Sequence, residues 1–225
     1  MISHRYKCIF IHIPKCAGTS IEQALGHYDN KIPRDGQDHR SIRMIERPIK
    51  LKYLANIDNF KAIARSIQHN FRNHANPNNG NTVTKEQYAS YFKFVIVRNP
   101  WARVYSWYRN VMADEIHQEN LNVNNSIDFN AFLKRFVGTG LLMPQTYWIK
   151  DFSGSIALDY IGRFETLNED FEQVCELMKL DSISLPHKIK GSGKDYRQFY
   201  NDELIKLVSD VYREEIELFN YSFDK

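Results

Sequence analysis

Residues 14 to 20 read Pro14-Lys15-Cys16-Ala17-Gly18-Thr19-Ser20, placing one cation, one glycine and two hydroxyls in a single tight loop. The loop follows the hydrophobic run Ile9-Phe10-Ile11 and opens onto a helix. The first amides of a helix have no intrahelical partners, and the helix dipole favours negative charge at that end. Lys15 adds a full charge, Gly18 lets a ligand approach the backbone, and Thr19 and Ser20 donate from the first turn, so the stretch suits a phosphate-like group. The plainer reading is a strand-to-helix turn whose hydroxyls cap the helix. A Walker A loop is excluded. There the lysine follows the glycines and directly precedes Ser or Thr, whereas here it comes first.

A second constellation lies in residues 92 to 108. Phe94-Val95-Ile96-Val97 is short, continuous and largely β-branched, as in a strand buried in a parallel sheet. Arg98 stands at its carboxyl end, and Asn99-Pro100 starts a helix, with Pro suited to the first helical position. Ser106 follows Arg98 by eight residues, about two helical turns on. A strand-end guanidinium and a helix hydroxyl could converge on a second phosphate, because the guanidinium fork matches phosphate oxygens.

Together these two stretches resemble the nucleotide-binding motifs of sulfotransferases, most closely the carbohydrate branch that includes heparan sulfate 2-O-sulfotransferases and bacterial relatives. Three weaker matches follow in order: Met143-Pro144-Gln145, Tyr160 to Leu167 ending in Arg163-Phe164-Glu165-Thr166-Leu167, and the tail from Leu185-Pro186-His187 through Tyr196 to Phe219-Asn220-Tyr221. The resemblance covers nearly the whole chain. It implies an α/β fold, a P-loop-like parallel sheet flanked by helices in a single domain over residues 1–225. It implies that Lys15, Cys16, Ala17, Gly18, Thr19 and Ser20 hold the 5′-phosphosulfate of 3′-phosphoadenosine 5′-phosphosulfate (PAPS), and that Arg98 and Ser106 hold its 3′-phosphate. Adenosine 3′,5′-bisphosphate would be the product, a carbohydrate hydroxyl the acceptor, and no metal would be needed. The chain departs from the pattern in the tail, where Ile189-Lys190-Gly191-Ser192 replaces the usual Asn-x-Ser; Lys190, Lys194 and Arg197 are expected to close over the nucleotide.

Sulfuryl transfer builds negative charge on the bridging oxygen and the 5′-phosphate, so donors aimed there stabilise the transition state more than the ground state. Lys15 is the obvious cation. The acceptor hydroxyl must lose its proton, which calls for a general base. Among the chain's 8 histidines, His39 leads. The segment Asp38-His39-Arg40-Ser41-Ile42 resembles a short His-containing stretch that relatives carry between the two motifs, and Asp38 would orient a ring or cap the next helix. His69 and His74 come next, and Glu22 or Glu46 is the carboxylate alternative. His12 reads as scaffolding and His187 as structural. Two other function classes stay in view: a P-loop-like nucleotide kinase or hydrolase, which would need a Walker lysine and a magnesium carboxylate, and a non-catalytic nucleotide- or glycan-binding module.

Other residues carry plainer readings. Trp101, Tyr105, Trp107 and Tyr108 fit helix-face packing, Arg103 a surface role, Arg163 and Glu165 the wall of the nucleotide site, and Cys16 a small filler. Arg40, Arg43, Arg47, Lys50 and Lys52 form either a groove for an acidic glycan or a solvated face.

The elements that must position these groups alternate strand with helix, which implies a parallel sheet with ligand loops at strand carboxyl ends. A first helix begins over Ser20 to Leu25. Phe60, Ile63, Ala64, Ile67 and Phe71 have helical spacing, and residues 76–81 form a surface loop. Asp128 caps a short helix reaching Val137, and 159–164 is a strand. Asn168 to Lys179 is a helix with Phe171, Val174, Leu177 and Met178 inward, and Asp202 to Phe219 one long amphipathic helix. At 225 residues, 43% hydrophobic and 13% aromatic, the chain is long and apolar enough to bury one substantial core. A net charge of +3 is too weak to argue for nucleic acid yet suits an anionic ligand. No run is long enough to span a membrane, no leader is expected before the first strand, and 3 cysteines form no framework, so a cytoplasmic home is expected.

Overall fold

The computed structural model describes residues 1–29, 36–49, 51–53, 55–181, 183–186 and 195–224. Lys50, His187, Lys190, Lys194 and the Ile189-to-Ser192 departure lie outside them. The chain divides into two compact units: Met1–Val97 with Tyr147–Lys188, and Arg98–Thr146 with Ile189–Lys225. In chain order the helices are α1 (Gly18–Ala24), α2 (Ile42–Ile45), α3 (Ile57–Asn70), α4 (Lys85–Ser90), α5 (Pro100–Met112), α6 (Glu115–Leu121), α7 (Phe129–Phe136), α8 (Gln145–Ile149), α9 (Leu167–Leu177), α10 (Asp202–Val211) and α11 (Arg213–Leu218).

The first unit is built on a four-stranded, mostly parallel sheet flanked by helices. Its strands are β1 (Ile2–Ser3), β2 (Cys8–Ile11), β3 (Phe92–Val97) and β4 (Tyr160–Arg163), in that spatial order. β2, β3 and β4 run parallel with Phe10 opposite Phe94 and Ile96 opposite Gly162, and β1 pairs antiparallel at the edge. Phe10, Phe94 and Ile96 pack with Ile21 of α1 and with Phe171 and Val174 of α9 into one buried cluster. A Cβ on Gly162 would fall 2.6 Å from Ile96 Cδ1 and 2.9 Å from Asp170 Cβ, so glycine is what lets α9 sit down on β4. Asp170 then pins the strand's end, accepting from Tyr160 Oη and Thr166 Oγ1 at 2.6 Å and from Arg163 N–H at 3.0 Å. Leu177, expected inward, is 49% exposed, because Cys175 and Met178 take the inward positions at that end of α9.

Helix α3 forms where the spacing predicts it, with Asn56 accepting from the Asp58 and Asn59 N–H groups as its cap. Its inward face, however, is Asn59, Ala62 and Ser66, while Phe60, Ile67 and Phe71 are exposed. Polar anchors decide the orientation: Asn59 Nδ2 donates to Phe152 O at 3.0 Å and Ser66 Oγ to Met44 O at 3.0 Å.

In the second unit α5 opens on the Asn99 cap with Pro100 at its first turn, and α7 on Asp128. The single helix expected from Asp202 to Phe219 is two, α10 and α11, broken at Tyr212. Tyr212, 1% exposed, gives its hydroxyl to Leu142 O at 2.6 Å and accepts from Gly138 N–H at 3.1 Å. That anchoring, with Glu215 fully buried one turn on, fixes a register a continuous helix would not meet.

Candidate functional site

The loop after β2 is wound by two non-glycine residues in the left-handed region, Lys15 (φ 68°) and Ala17 (φ 63°). L-residues adopt that region at a cost of order 1–3 kcal/mol each, and such strain clusters at ligand-binding turns. Alternating turns of this kind aim successive amides to one side, a concavity suited to anions. Ala17 is the N-cap of α1 and no side chain caps the helix, so Thr19 and Ser20 do not serve as its caps. The donor set is one-sided: Lys15, two hydroxyls and backbone amides, with no carboxylate within residues 14–20. This set fits a phosphosulfate. Cys16 is buried, its thiol 3.8 Å from Pro14 O.

Gly18 has a structural reason beyond ligand approach. A Cβ there would fall 1.9 Å from His12 Cδ2. The His12 ring fills that space, and His12 is held in turn by Glu22 of α1, with Nδ1 2.9 Å from Oε1. Glu22 also accepts from the Asp38 N–H at 3.1 Å. Burial works against its charge, but the His12 imidazole outweighs burial and holds the carboxyl below its ordinary range. Glu22 is therefore an ionised clamp on His12, as the scaffolding reading of His12 requires.

His39 packs on this clamp, its ring centroid 4.2 Å from that of His12. Its Nδ1 lies 3.3 Å from the His12 carbonyl, which can only accept, so Nδ1 carries the proton and Nε2 the lone pair. Nε2 lies 3.2 Å from the Gln37 side-chain amide, whose other end is 2.7 Å from Thr19 Oγ1. As placed, Gln37 Oε1 faces His39 Nε2 and Gln37 Nε2 donates to Thr19 Oγ1. With His39 Nε2 unprotonated, turning the amide over, so that its nitrogen donates to His39 and its oxygen accepts from the Thr19 hydroxyl, satisfies all three bonds. Burial, reinforced by His12, pushes His39 down to about 3, so its imidazole is neutral at physiological pH. A cavity of about 330 Å³ opens beside it, lined among others by Gln37, His39, Arg40, His69, Arg72 and His74. The three leading histidines thus share one cavity. His69 and His74 lie with ring centroids 4.2 Å apart, His74 Nε2 3.0 Å from His69 O, and burial pushes His69 down to about 4.

Asp38 neither orients a ring nor caps α2. It grips Arg40 through both carboxylate oxygens, at 2.9 and 2.6 Å, and that guanidinium outweighs burial to hold Asp38 well below its ordinary range. Arg40 and Arg43 are buried, so they are no solvated face: Arg40 donates onward to Asn81 O at 2.8 Å, and Arg43 to Asn59 Oδ1 and Tyr147 O at 3.3 Å each. Glu46 accepts from Phe152 N–H at 2.8 Å, a structural bond.

In the second unit Arg98 is clasped through its backbone. Its N–H donates to Gln145 Oε1 and its carbonyl accepts from Gln145 Nε2, both at 2.8 Å. Gln145 is itself anchored on Glu215 through Nε2 (2.9 Å) and through its backbone N–H. Burial pushes Glu215 up. Ser106 is half-buried on α5. Arg103, expected at the surface, is fully buried and donates to Met143 O (3.1 Å) and Leu141 O (2.7 Å), supporting the segment that carries Gln145. Trp101, Tyr105 and Trp107 are buried packing residues, Tyr105 stacking on Phe199 at 4.5 Å. Sequence reasoning missed Gln37 and Arg72 as wall residues and gave Gln145 no role; only its place in a Pro-Gln segment marked it.

The first unit is thus an α/β unit with the Lys15-to-Ser20 loop at the carboxyl end of its second strand and the neutral His39 imidazole one side chain away. A family model described as the sulfotransferase family matches residues 1–222, and the chain belongs to that family. An uncharacterized protein of Archaeoglobus fulgidus is 29% identical over 111 residues, 48% of this chain and 81% of the relative. No solved structure matches the chain. Family membership supports sulfuryl transfer to a hydroxyl-bearing acceptor, and the family generally takes its sulfuryl group from PAPS. Among the described residues no helix is long and apolar enough to cross a membrane, and no group of three or more His, Cys, Asp or Glu is placed to hold a metal.

Proposed function

We propose that the protein transfers a sulfuryl group from PAPS to a carbohydrate hydroxyl by in-line displacement, on a P-loop-like α/β scaffold over residues 1–225. The single observation that carries this reading is the Gln37 bridge. One amide spans from Thr19 in the anion loop to His39, so an oxyanion cradle and an uncharged imidazole lie one side chain apart. The bound donor supplies an activated sulfuryl group with phosphate as its leaving group.

Lys15 and the loop amides from Ala17 to Ser20, with the Thr19 and Ser20 hydroxyls, bind the 5′-phosphosulfate and neutralise the charge that collects there as the S–O bond breaks. Arg98 and Ser106 take the 3′-phosphate, the guanidinium set by the Gln145 clasp. His39 Nε2 accepts the acceptor's hydroxyl proton as the Gln37 amide gives up its bond to that lone pair, while Nδ1–H stays on the His12 carbonyl and fixes the ring. The nearby carboxylates Glu22 and Asp38 favour the resulting imidazolium. The cavity's size lies at the lower end of the range for small-molecule sites. Its polar walls suit a hydroxyl-rich sugar. A cytoplasmic site of action remains part of this reading.

Transfer of labelled sulfate from PAPS to a panel of polysaccharides and small alcohols tests it. Wild type is expected to label an acceptor without added metal, Lys15→Ala to lose transfer, and His39→Ala to lose turnover while still binding nucleotide. Normal turnover in Lys15→Ala would refute the loop's role, and full activity in His39→Ala would move the base elsewhere.

A further inference from the structure

Helix α3 is the one described helix with more than one large apolar side chain exposed. Ile57 is 64% exposed, Phe60 58%, Ile67 54% and Phe71, at its C-cap, 87%. At 100° per residue these and Ala64 fall within an arc of about 80°. Lys61 and Arg65, both exposed, line one flank of that arc about 40° apart, with the exposed Asp58 about 20° beyond Arg65. The helix cannot roll to bury the stripe, because its opposite side is tied down by the Asn59 and Ser66 bonds to Phe152 and Met44.

We infer that this face of α3 lies on an anionic membrane surface, with the stripe in the headgroup boundary and the cations on lipid phosphates. Contiguous exposed apolar surface on a folded protein marks an interaction site. A row of aliphatic and phenyl groups along a helix, flanked by long cationic side chains, is the pattern of interfacial helices. The stem of Lys61 can lie along the lipid boundary while its ammonium reaches phosphate, and Arg65, which donates to Tyr147 Oη, adds its charge beside it. Charge complementarity favours this occupant over a second copy of the chain, which would bring the same cations to the rim, where they repel. The inference does not depend on the identity of donor or acceptor.

Co-sedimentation of the full chain with lipid vesicles tests it. Wild type should pellet with phosphatidylcholine vesicles containing phosphatidylglycerol, far less with phosphatidylcholine alone, and less again as salt is raised. Replacing Phe60, Ile67 and Phe71 together by Ser should weaken binding at least tenfold while the melting temperature holds, since the three side chains are exposed. Phe71→Ser and Lys61→Glu alone should each give a partial loss, which keeps the test valid if the triple variant fails to fold. Wild type remaining in the supernatant with anionic vesicles, equal pelleting with neutral ones, or undiminished binding by the variants would overturn the inference. So would a concentration-dependent dimer in lipid-free buffer that Phe71→Ser abolishes; that would assign the face to a second copy.

Discussion

At Gly18 a single hydrogen in place of a methyl decides whether the anion loop forms. Gly18→Ala puts a Cβ inside the His12 ring, so the ring must leave and the Glu22 clamp loosens. We expect a loss of about 1–3 kcal/mol, the usual range for overpacking a filled site, read as a lower urea midpoint, together with impaired nucleotide binding. An unchanged midpoint would show that the ring moves freely and is not scaffolding. His39 makes a pH prediction. Its folded pKa, about 3, lies below the ordinary 6.5, so below pH 6.5 the folded state holds fewer protons than the unfolded chain. Its contribution to stability is complete above about pH 6.5 and is lost as pH falls toward 3, by up to about 1.4 kcal/mol per unit. His69, pushed down to about 4, acts in the same direction. Glu215, pushed up by burial, also titrates differently in the folded state, so the difference between wild type and His39→Asn over pH 6.5 to 4.5, rather than the slope itself, reads the imidazole. His39→Asn should flatten that slope. An unaltered slope would mean the imidazole titrates normally and is not shut away.

Among the elements, those whose ends carry their own chemistry were legible in the sequence. Asn99-Pro100 and Asp128 start α5 and α7 because a side-chain oxygen accepts from the first-turn amides, a bond local enough to read from neighbours. Periodicity showed that α3 has an apolar face but not which way the face points. That was settled by Asn59 and Ser66 reaching carbonyls of Phe152 and Met44, and residues 93 positions apart leave no local trace. The Tyr212 break is the same case, set by Leu142 and Gly138. The Gln145 clasp carries the prediction at this scale. Gln145→Ala strips Arg98 of two backbone bonds and leaves Glu215 without its amide partner. The variant should lose about 1–3 kcal/mol of stability and bind adenosine 3′,5′-bisphosphate more weakly. Full nucleotide affinity in a destabilised Gln145→Ala protein would confine the clasp to folding.

For the molecule as a whole, the family was legible because its two motifs are each contiguous in sequence: Lys15 to Ser20 in one loop, and Arg98 at the end of β3 with Ser106 on the helix that follows. The histidine cluster was only half readable. His39, His69 and His74 could be named, yet their shared cavity, and the Gln37 amide joining it to Thr19, exist only once distant segments fold together. The central claim is that Lys15 and Arg98 serve the two phosphate ends of one nucleotide. Calorimetric titration with adenosine 3′,5′-bisphosphate in metal-free buffer tests it most directly. One nucleotide per chain should bind, with affinity weakened in Lys15→Ala and lowered by about 2–5 kcal/mol in Arg98→Ala. No heat of binding to the wild type, or an affinity that neither substitution moves, would contradict it.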